Sequence, residues 1–211
     1  MGSIKMVLNM LMLNLPVEKI GGEMYELLTM ANRTTEDVFS LLDNLLKWTK
    51  SQIGNLNVVY QDVDAVEVVD SVIDVFNMVA GLKKITIREE KPEKLPVCTD
   101  IDMLKTIIRN LLSNAIKFSN ENSEVLVKME EQGDTVVVSV KDSGCGIDEE
   151  GQQKLLHTDT HFSTFGTNNE EGSGLGLLLC QDFAVKIGGK LWFTSKEGEG
   201  STFYFSIPLK K

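Results

Sequence analysis

Asn110, Asn114 and Lys117 fall four and three residues apart, which puts two amides and a cation on one narrow arc of a helix. Leu104, Ile107, Ile108, Leu111, Leu112 and Ala115 occupy the other side of the same stretch, so the polar trio points away from the core. Each of the three, taken singly, is an ordinary solvated residue. Two asparagines in a helix interior are less ordinary, because Asn is a poor helix former there. An amide oxygen is a hard ligand suited to Mg2+, which keeps most of its waters and takes phosphate oxygens for the rest. Lys117, nearly one turn on, can meet phosphate as a point charge.

Two glycine turns follow. Asp142-Ser-Gly144-Cys-Gly146 comes directly after an alternating run that predicts a strand. The Asp142 carboxylate can accept from the exocyclic amine of adenine, and Gly144 and Gly146 let backbone lie against the base without a Cβ in the way. On its own, Asp-Ser-Gly is a common surface turn. Gly172-Ser-Gly174-Leu175-Gly176 opens a predicted helix, whose first N–H groups and dipole make a seat for phosphate. A dinucleotide fingerprint does not fit, because its third glycine would fall on Leu177 and a polar loop, not a strand, precedes it. A P-loop does not fit either, since the chain has no Gly-Lys-Ser/Thr. Read in chain order, the amide-and-lysine helix, the strand ending in Asp142, the polar loop and the glycine-led helix together describe a site for ATP and a divalent ion.

The elements that must hold these residues divide the chain into residues 1–57 and 58–211. The first part reads as a helical hairpin. Met6, Met10 and Leu13 give a partial apolar face that ends at Asn14-Leu-Pro16. After Gly21-Gly22, a longer helix from about Glu23 to Ile53 carries a stripe that includes Leu27, Leu28, Val38, Leu41, Leu42, Leu45, Leu46 and Trp48. A hairpin this thin cannot bury the stripe alone, so a homodimer through a four-helix bundle is expected. In the second part, Val58–Gln61 predicts a strand, Val63–Leu82 a helix, Lys84–Glu89 a strand, and Asp100 the cap of a helix running to about Phe118. Val125–Glu130 and Thr135–Lys141 form a hairpin around Gln132-Gly133-Asp134. Residues 147–171 read as a long polar loop. Gly174–Ile187 is a helix, and Lys190–Lys196 with Ser201–Pro208 closes the chain as a second hairpin. The fold class is α+β: a two-layer sandwich, one mixed sheet covered by helices, preceded by the helical hairpin.

A net charge of −10 argues against a nucleic-acid partner, which would need a basic surface. Phosphate must therefore be met locally, by single cations and backbone N–H groups. Cys98, Cys145 and Cys180 are odd in number and in no metal spacing, as expected of a reducing, cytoplasmic setting. The apolar run from Met6 to Leu15 is too short to span a bilayer, so any membrane attachment is expected from segments outside this chain.

These residues together resemble the catalytic and ATP-binding domain of sensor histidine kinases, within the GHKL ATPase superfamily. Asn110-Leu-Leu-Ser-Asn114-Ala-Ile-Lys117-Phe118-Ser119 is similar to the family's asparagine box. Asp142-Ser-Gly144-Cys-Gly146 resembles its first glycine box, His161-Phe162-Ser-Thr-Phe165 its phenylalanine box in the lid, and Gly172-Ser-Gly174-Leu175-Gly176-Leu177 its second glycine box. The resemblance covers residues 58–211, and Leu41-Leu-Asp-Asn-Leu-Leu-Lys-Trp48 is similar to the second helix of the dimerisation and phosphotransfer hairpin. It implies a Bergerat-type ATP-binding fold in which Asn114 holds Mg2+, Asn110 and Lys117 face the phosphates and Asp142 reads adenine. It further implies that Gly144 and Gly146 lie against the base, that Phe162 belongs to the lid, and that Gly172, Gly174, Leu175 and Gly176 wrap the phosphates. Its partners would be a second copy and the receiver domain of a response regulator.

One departure stands out. The family places its phosphoacceptor histidine in the first hairpin helix, whereas this chain has only His157 and His161, both in the predicted loop. The expectation is a piece of a longer kinase, with an acceptor histidine outside it and no self-phosphorylation of this piece. A pseudokinase or scaffold is the alternative. A self-sufficient ATPase of the chaperone or topoisomerase kind is disfavoured, because those relatives carry a basic Glu where this chain has Asn110, and Asn cannot take a proton from water.

Overall fold

The computed structural model describes residues 57–155, 167 and 174–209, with scattered positions between 21 and 49. The chain divides into two compact units, Met1–Ile53 and Gly54–Lys211. In the first unit the described residues between 22 and 49 are helical. Thr29, Thr35 and Thr49 each return their hydroxyl to the carbonyl four residues back, on Tyr25, Ala31 and Leu45. Leu27, Met30, Val38, Leu42, Leu45 and Leu46 are exposed, as the sequence stripe requires of a helix whose apolar side is uncovered. The expected first helix, Leu41 and Trp48 lie outside the described residues.

The second unit begins with strand β1 (Gln61–Asp64) and helix α1 (Ala65–Leu82). Asp64 caps α1 by accepting from Val66 N, and the same oxygen accepts from Leu95 N. Strand β2 (Thr86–Glu90) and strand β3 (Pro96–Thr99) lead to helix α2 (Ile101–Phe118). Asp100 caps α2 as expected: one oxygen accepts from Asp102 N and Met103 N, the other from Val59 N. Strands β4 (Glu124–Gln132) and β5 (Thr135–Lys141) form the predicted hairpin, with Gly133 at its turn. Helix α3 (Glu149–Lys154), helix α4 (Leu175–Lys186), and the hairpin of β6 (Leu191–Lys196) and β7 (Gly200–Pro208) complete the unit.

Five strands make one sheet in the order β2-β4-β5-β7-β6. β2 pairs parallel with β4 and the other pairs are antiparallel, so the sheet is mixed as expected. Val125, Val127 and Met129 of β4 are buried while Leu126, Lys128 and Glu130 between them are partly open. That alternation is the mark of a sheet with one face on the core. Leu104, Ile107, Ile108, Leu111 and Leu112 of α2 meet that core at 0–1% exposure, alongside Leu179 of α4 and Ile73 of α1. The burial places the α2 arc bearing Asn110, Asn114 and Lys117 away from the sheet.

Three expectations need correction. The strand expected at Val58–Gln61 begins only at Gln61 and runs to Asp64, so the helix expected from Val63 starts at Ala65; Val59 N is taken by the Asp100 side chain, and ladder pairing runs from Gln61 with Thr99 to Asp64 with Pro96. β3 was not expected. It is a four-residue strand with Pro at its first position, where a missing N–H is tolerated, and it pairs with distant β1 in a separate two-stranded sheet, with one further bridge from Val97 to Leu209. Residues 147–155 are not plain loop: Asp148 accepts from Gly151 N, and with Glu149 and Glu150 in the first turn it starts the short helix α3.

Candidate nucleotide site

α2 supplies the floor of the site. Asn110 donates its amide Nδ2 to Thr106 O at 2.9 Å, which orients Oδ1 away from the helix axis. A Cβ at position 176 would stand 2.8 Å from that Oδ1, so the first turn of α4 passes directly against Asn110. Asn114 is half-buried and makes no hydrogen bond among the described residues. Lys117 holds its ammonium 4.8 Å over the Phe118 ring. From Asn110 to Phe118 the helix runs about 12 Å, so α4 marks one end of an elongated floor and Phe118 the other.

At the Phe118 end stands the turn that follows β5. Its backbone is fixed from two sides. Gly144 bridges to Ser119, and a Cβ there would fall 2.1 Å from Phe118 O. Gly146 has φ +66, and a Cβ there would fall 2.0 Å from Lys196 O, so only glycine fits both the angle and the space. Gly198 N donates to Cys145 O at 2.7 Å, and Ile147 N donates to Ser195 Oγ at 2.9 Å. The turn is thus bolted to the end of α2 and to the β6–β7 hairpin.

Asp142 sits inside this frame at 4% exposure. Its Oδ1 accepts from Gly144 N at 2.9 Å and from Ser201 N at 3.1 Å. Its Oδ2 has no protein donor among the described residues. Burial pushes the carboxyl above the usual carboxylate range, and the two backbone N–H bonds work against that rise. A buried carboxylate with one oxygen saturated and the other vacant is a receptor for a donor that the protein does not supply.

The glycine-led start of α4 forms the opposite end. Gly174 takes φ +68 at the cap position and supplies no side-chain cap of its own. A helix N-terminus next to Asn110 favours an anion. Leu175 contributes no side chain there, because it is 8% exposed and packs into the core. Gly172, Phe162, Phe165, His157 and His161 lie outside the described residues.

Of the expected set, Asn110, Asn114 and Lys117 share one arc of α2, Gly144 joins Asp142 to the end of that helix at Phe118 and Ser119, and Gly176 sets the start of α4 against Asn110. Three participants were not anticipated. Ser201 supplies one of the two donors to Asp142, Thr167 bonds to Lys117 O and Ser119 O, and Lys83 reaches the same end of α2. No local motif marks any of them.

Residues 99–211 match the family described as the histidine kinase-, DNA gyrase B- and HSP90-like ATPases. The chain belongs to this family. Its relatives are sensor kinases. It is 30% identical over 171 residues to the adaptive-response sensory kinase SasA of Rippkaea orientalis, which covers 80% of this chain and 43% of that one. It is 28% identical over 186 residues to the sensor histidine kinase WalK of Bacillus subtilis, covering 87% of this chain and 30% of WalK. The catalytic domain of histidine kinase ThkA, in a nucleotide-free form, superposes with a TM-score of 0.62 at 31% identity, over 72% of this chain and 96% of that one. This chain therefore carries the ATP-binding catalytic module of a sensor histidine kinase, and it spans less than half the length of SasA or WalK.

Proposed function

We propose that this module binds ATP with Mg2+ and transfers the γ-phosphoryl group to a histidine outside this chain, for relay to a receiver-domain aspartate of a response regulator. The observation that carries the nucleotide reading is the vacant Oδ2 of Asp142. The adenine 6-amino group is a donor of the right kind, and Gly144 and Gly146 fix the turn that holds the carboxylate. The carboxylate rejects guanine, whose oxo group at that position would meet it acceptor to acceptor.

From adenine, the path along α2 leads the phosphates past Lys117 and Asn114 toward Asn110 and the N-terminus of α4. Lys117 offers positive charge, and the turn from Gly172 through Gly174 and Leu175 to Gly176 takes the role of wrapping the phosphates. Phe162 contributes to the lid. The described residues hold no cluster of three His, Cys, Asp or Glu for a metal. Asn114, whose amide oxygen is not engaged, fits an ion that takes one protein oxygen and completes its shell from phosphate and water, which is the habit of Mg2+. Bound there, Mg2+ would offset charge on the β- and γ-phosphate oxygens. Asn110 cannot act as a base toward water, so the module keeps the phosphoryl group for transfer rather than hydrolysis.

Titration calorimetry with a non-hydrolysable ATP analogue, with and without Mg2+, tests this reading. Binding that depends on Mg2+ and favours ATP over GTP is expected. Equal affinity for the two would remove the role assigned to Asp142.

The exposed stripe of Leu27, Met30, Val38, Leu42, Leu45 and Leu46 supports a homodimer through the hairpin. Light scattering should show the dimer mass, and a monomer at high protein concentration would count against it. Among the described residues no helix is long and apolar enough to cross a membrane. The cytoplasm, where ATP and a reducing environment meet, is the proposed location.

A further inference from the structure

Lys83 is buried at 8% exposure although it is a lysine at a helix end. Its stem leaves the C-terminus of α1 and its ammonium ends at the C-terminus of α2. There Nζ donates to Ile116 O at 3.0 Å, to Lys117 O at 3.0 Å and to Thr167 Oγ1 at 2.9 Å. Thr167 closes the same group from the other side. Its N–H donates to Lys117 O at 3.2 Å, and its hydroxyl lies 3.1 Å from Lys117 O and 2.9 Å from Ser119 O.

The last carbonyls of a helix have no partner inside it and carry the negative end of its dipole. In α2 that negative end is the backbone of Lys117, the residue whose side chain is proposed to meet phosphate. Left open, it would repel the anion that Lys117 attracts. A full positive charge in contact with the carbonyls of Ile116 and Lys117 more than offsets a dipole end of roughly half a charge. The contacts also fix the backbone from which the Lys117 side chain extends.

We propose that Lys83 is a positioning residue for the phosphates. It touches no nucleotide. Together with Thr167 it clasps the C-terminus of α2, neutralises it, and holds Lys117 where it can meet the triphosphate. The inference rests on the nucleotide reading above and adds a residue that none of the glycine or asparagine motifs contains. The clasp stands beside the β5 turn, which Gly144 joins to Ser119, so what separates the two roles is charge: the triphosphate responds to Lys83 and Lys117, and adenosine, which carries no phosphate, does not.

The test compares a Mg2+-loaded non-hydrolysable ATP analogue with adenosine, by calorimetric titration of the wild-type chain, Lys83→Met and Thr167→Val. Lys83→Met keeps length and bulk and removes the charge. It should lower affinity for the triphosphate about tenfold, with adenosine affinity held within about twofold. Thr167→Val removes one exposed hydroxyl and should lower triphosphate affinity about threefold, again sparing adenosine. A general loss of structure would weaken both ligands alike, so the split between them is the deciding readout. If Lys83→Met does not fold, Thr167→Val decides alone. Wild-type affinity for the triphosphate in the folded variants, or equal losses for triphosphate and adenosine, would overturn the clasp while leaving the nucleotide reading intact. A wild-type chain that bound neither ligand would overturn both.

Discussion

The two ends of the site are built in opposite ways. At the β5 turn, the proposed base end is held by backbone: Asp142 accepts from two N–H groups, and Gly144 and Gly146 leave no space for even one more carbon. Along α2, the proposed phosphate end presents side chains that stay partly open, with Asn114 unengaged and Lys117 lying over Phe118. On this proposal the base end is set before a ligand arrives, and the phosphate end is completed by the ligand and its ion. The contrast fits the chemistry on each side. A flat base is selected by shape and one hydrogen bond, whereas a triphosphate that is to be cleaved changes charge and length during the reaction.

Substitutions can break this comparison. The largest effect on binding is expected at Asp142. Asp142→Ala removes a charge-assisted acceptor from a buried position and should cost about 1.5–3 kcal/mol of ATP affinity, roughly 10- to 100-fold. Calorimetry against an ATP analogue reads this directly. A loss below about twofold would show that the base is recognised elsewhere.

Next in size is a paired test of rigidity. Gly144→Ala sets a methyl 2.1 Å from a main-chain oxygen that cannot step aside without moving the end of α2. It should destabilise the unit by about 1–3 kcal/mol in urea unfolding. Gly176→Ala sets a methyl 2.8 Å from Asn110 Oδ1, the tip of a side chain that can turn. Its cost is offset by the better helix propensity of alanine, so stability should stay within about 1 kcal/mol of wild type. Equal costs at the two positions would erase the distinction between a rigid end and an adaptable one.

The same division decides what could be read from the sequence. The asparagine arc of α2, the Asp142 turn and the glycine start of α4 are local patterns, each set by residues within one turn or one hairpin, and the structure brings the turn and the helix start into contact with α2. The α2 cap, both hairpins and the mixed sheet were legible for the same reason. β3 was not, because a four-residue strand opening on Pro96 acquires its identity from partners far along the chain, β1 more than thirty residues before it and Leu209 after it. Lys83 was not, because Lys83 and Lys84 are twins in sequence. Which one is buried depends on where the end of α2 falls: Lys84 turns outward at φ +56 while Lys83 runs inward to Ile116 and Lys117. Ser201 joins Asp142 across fifty-nine residues, a pairing that only the β5–β7 ladder specifies.

The smallest expected effect is one of pH, and it has opposite signs for the empty and the occupied site. In the empty site burial holds the Asp142 carboxyl above its ordinary value. Between the unfolded and folded pKa values the folded chain then binds more protons. This group's contribution to stability is therefore fully present below the unfolded pKa and is lost as pH rises through the folded one. Asp142→Asn keeps an oxygen for Gly144 N and Ser201 N and removes the buried charge. At neutral pH the ligand-free variant should melt above wild type, and the difference should shrink as pH falls toward the range where Asp142 takes up its proton. ATP binding should run the other way. The adenine amine needs the ionised acceptor, so affinity should fall as pH drops through the raised folded pKa, and the fall should vanish in the Asn variant, which binds weakly throughout. A melting difference that did not change with pH would mean that Asp142 carries no excess proton in the folded chain. The rigid base end would then owe its readiness to geometry alone, without the electrostatic tension that a donor from the ligand relieves.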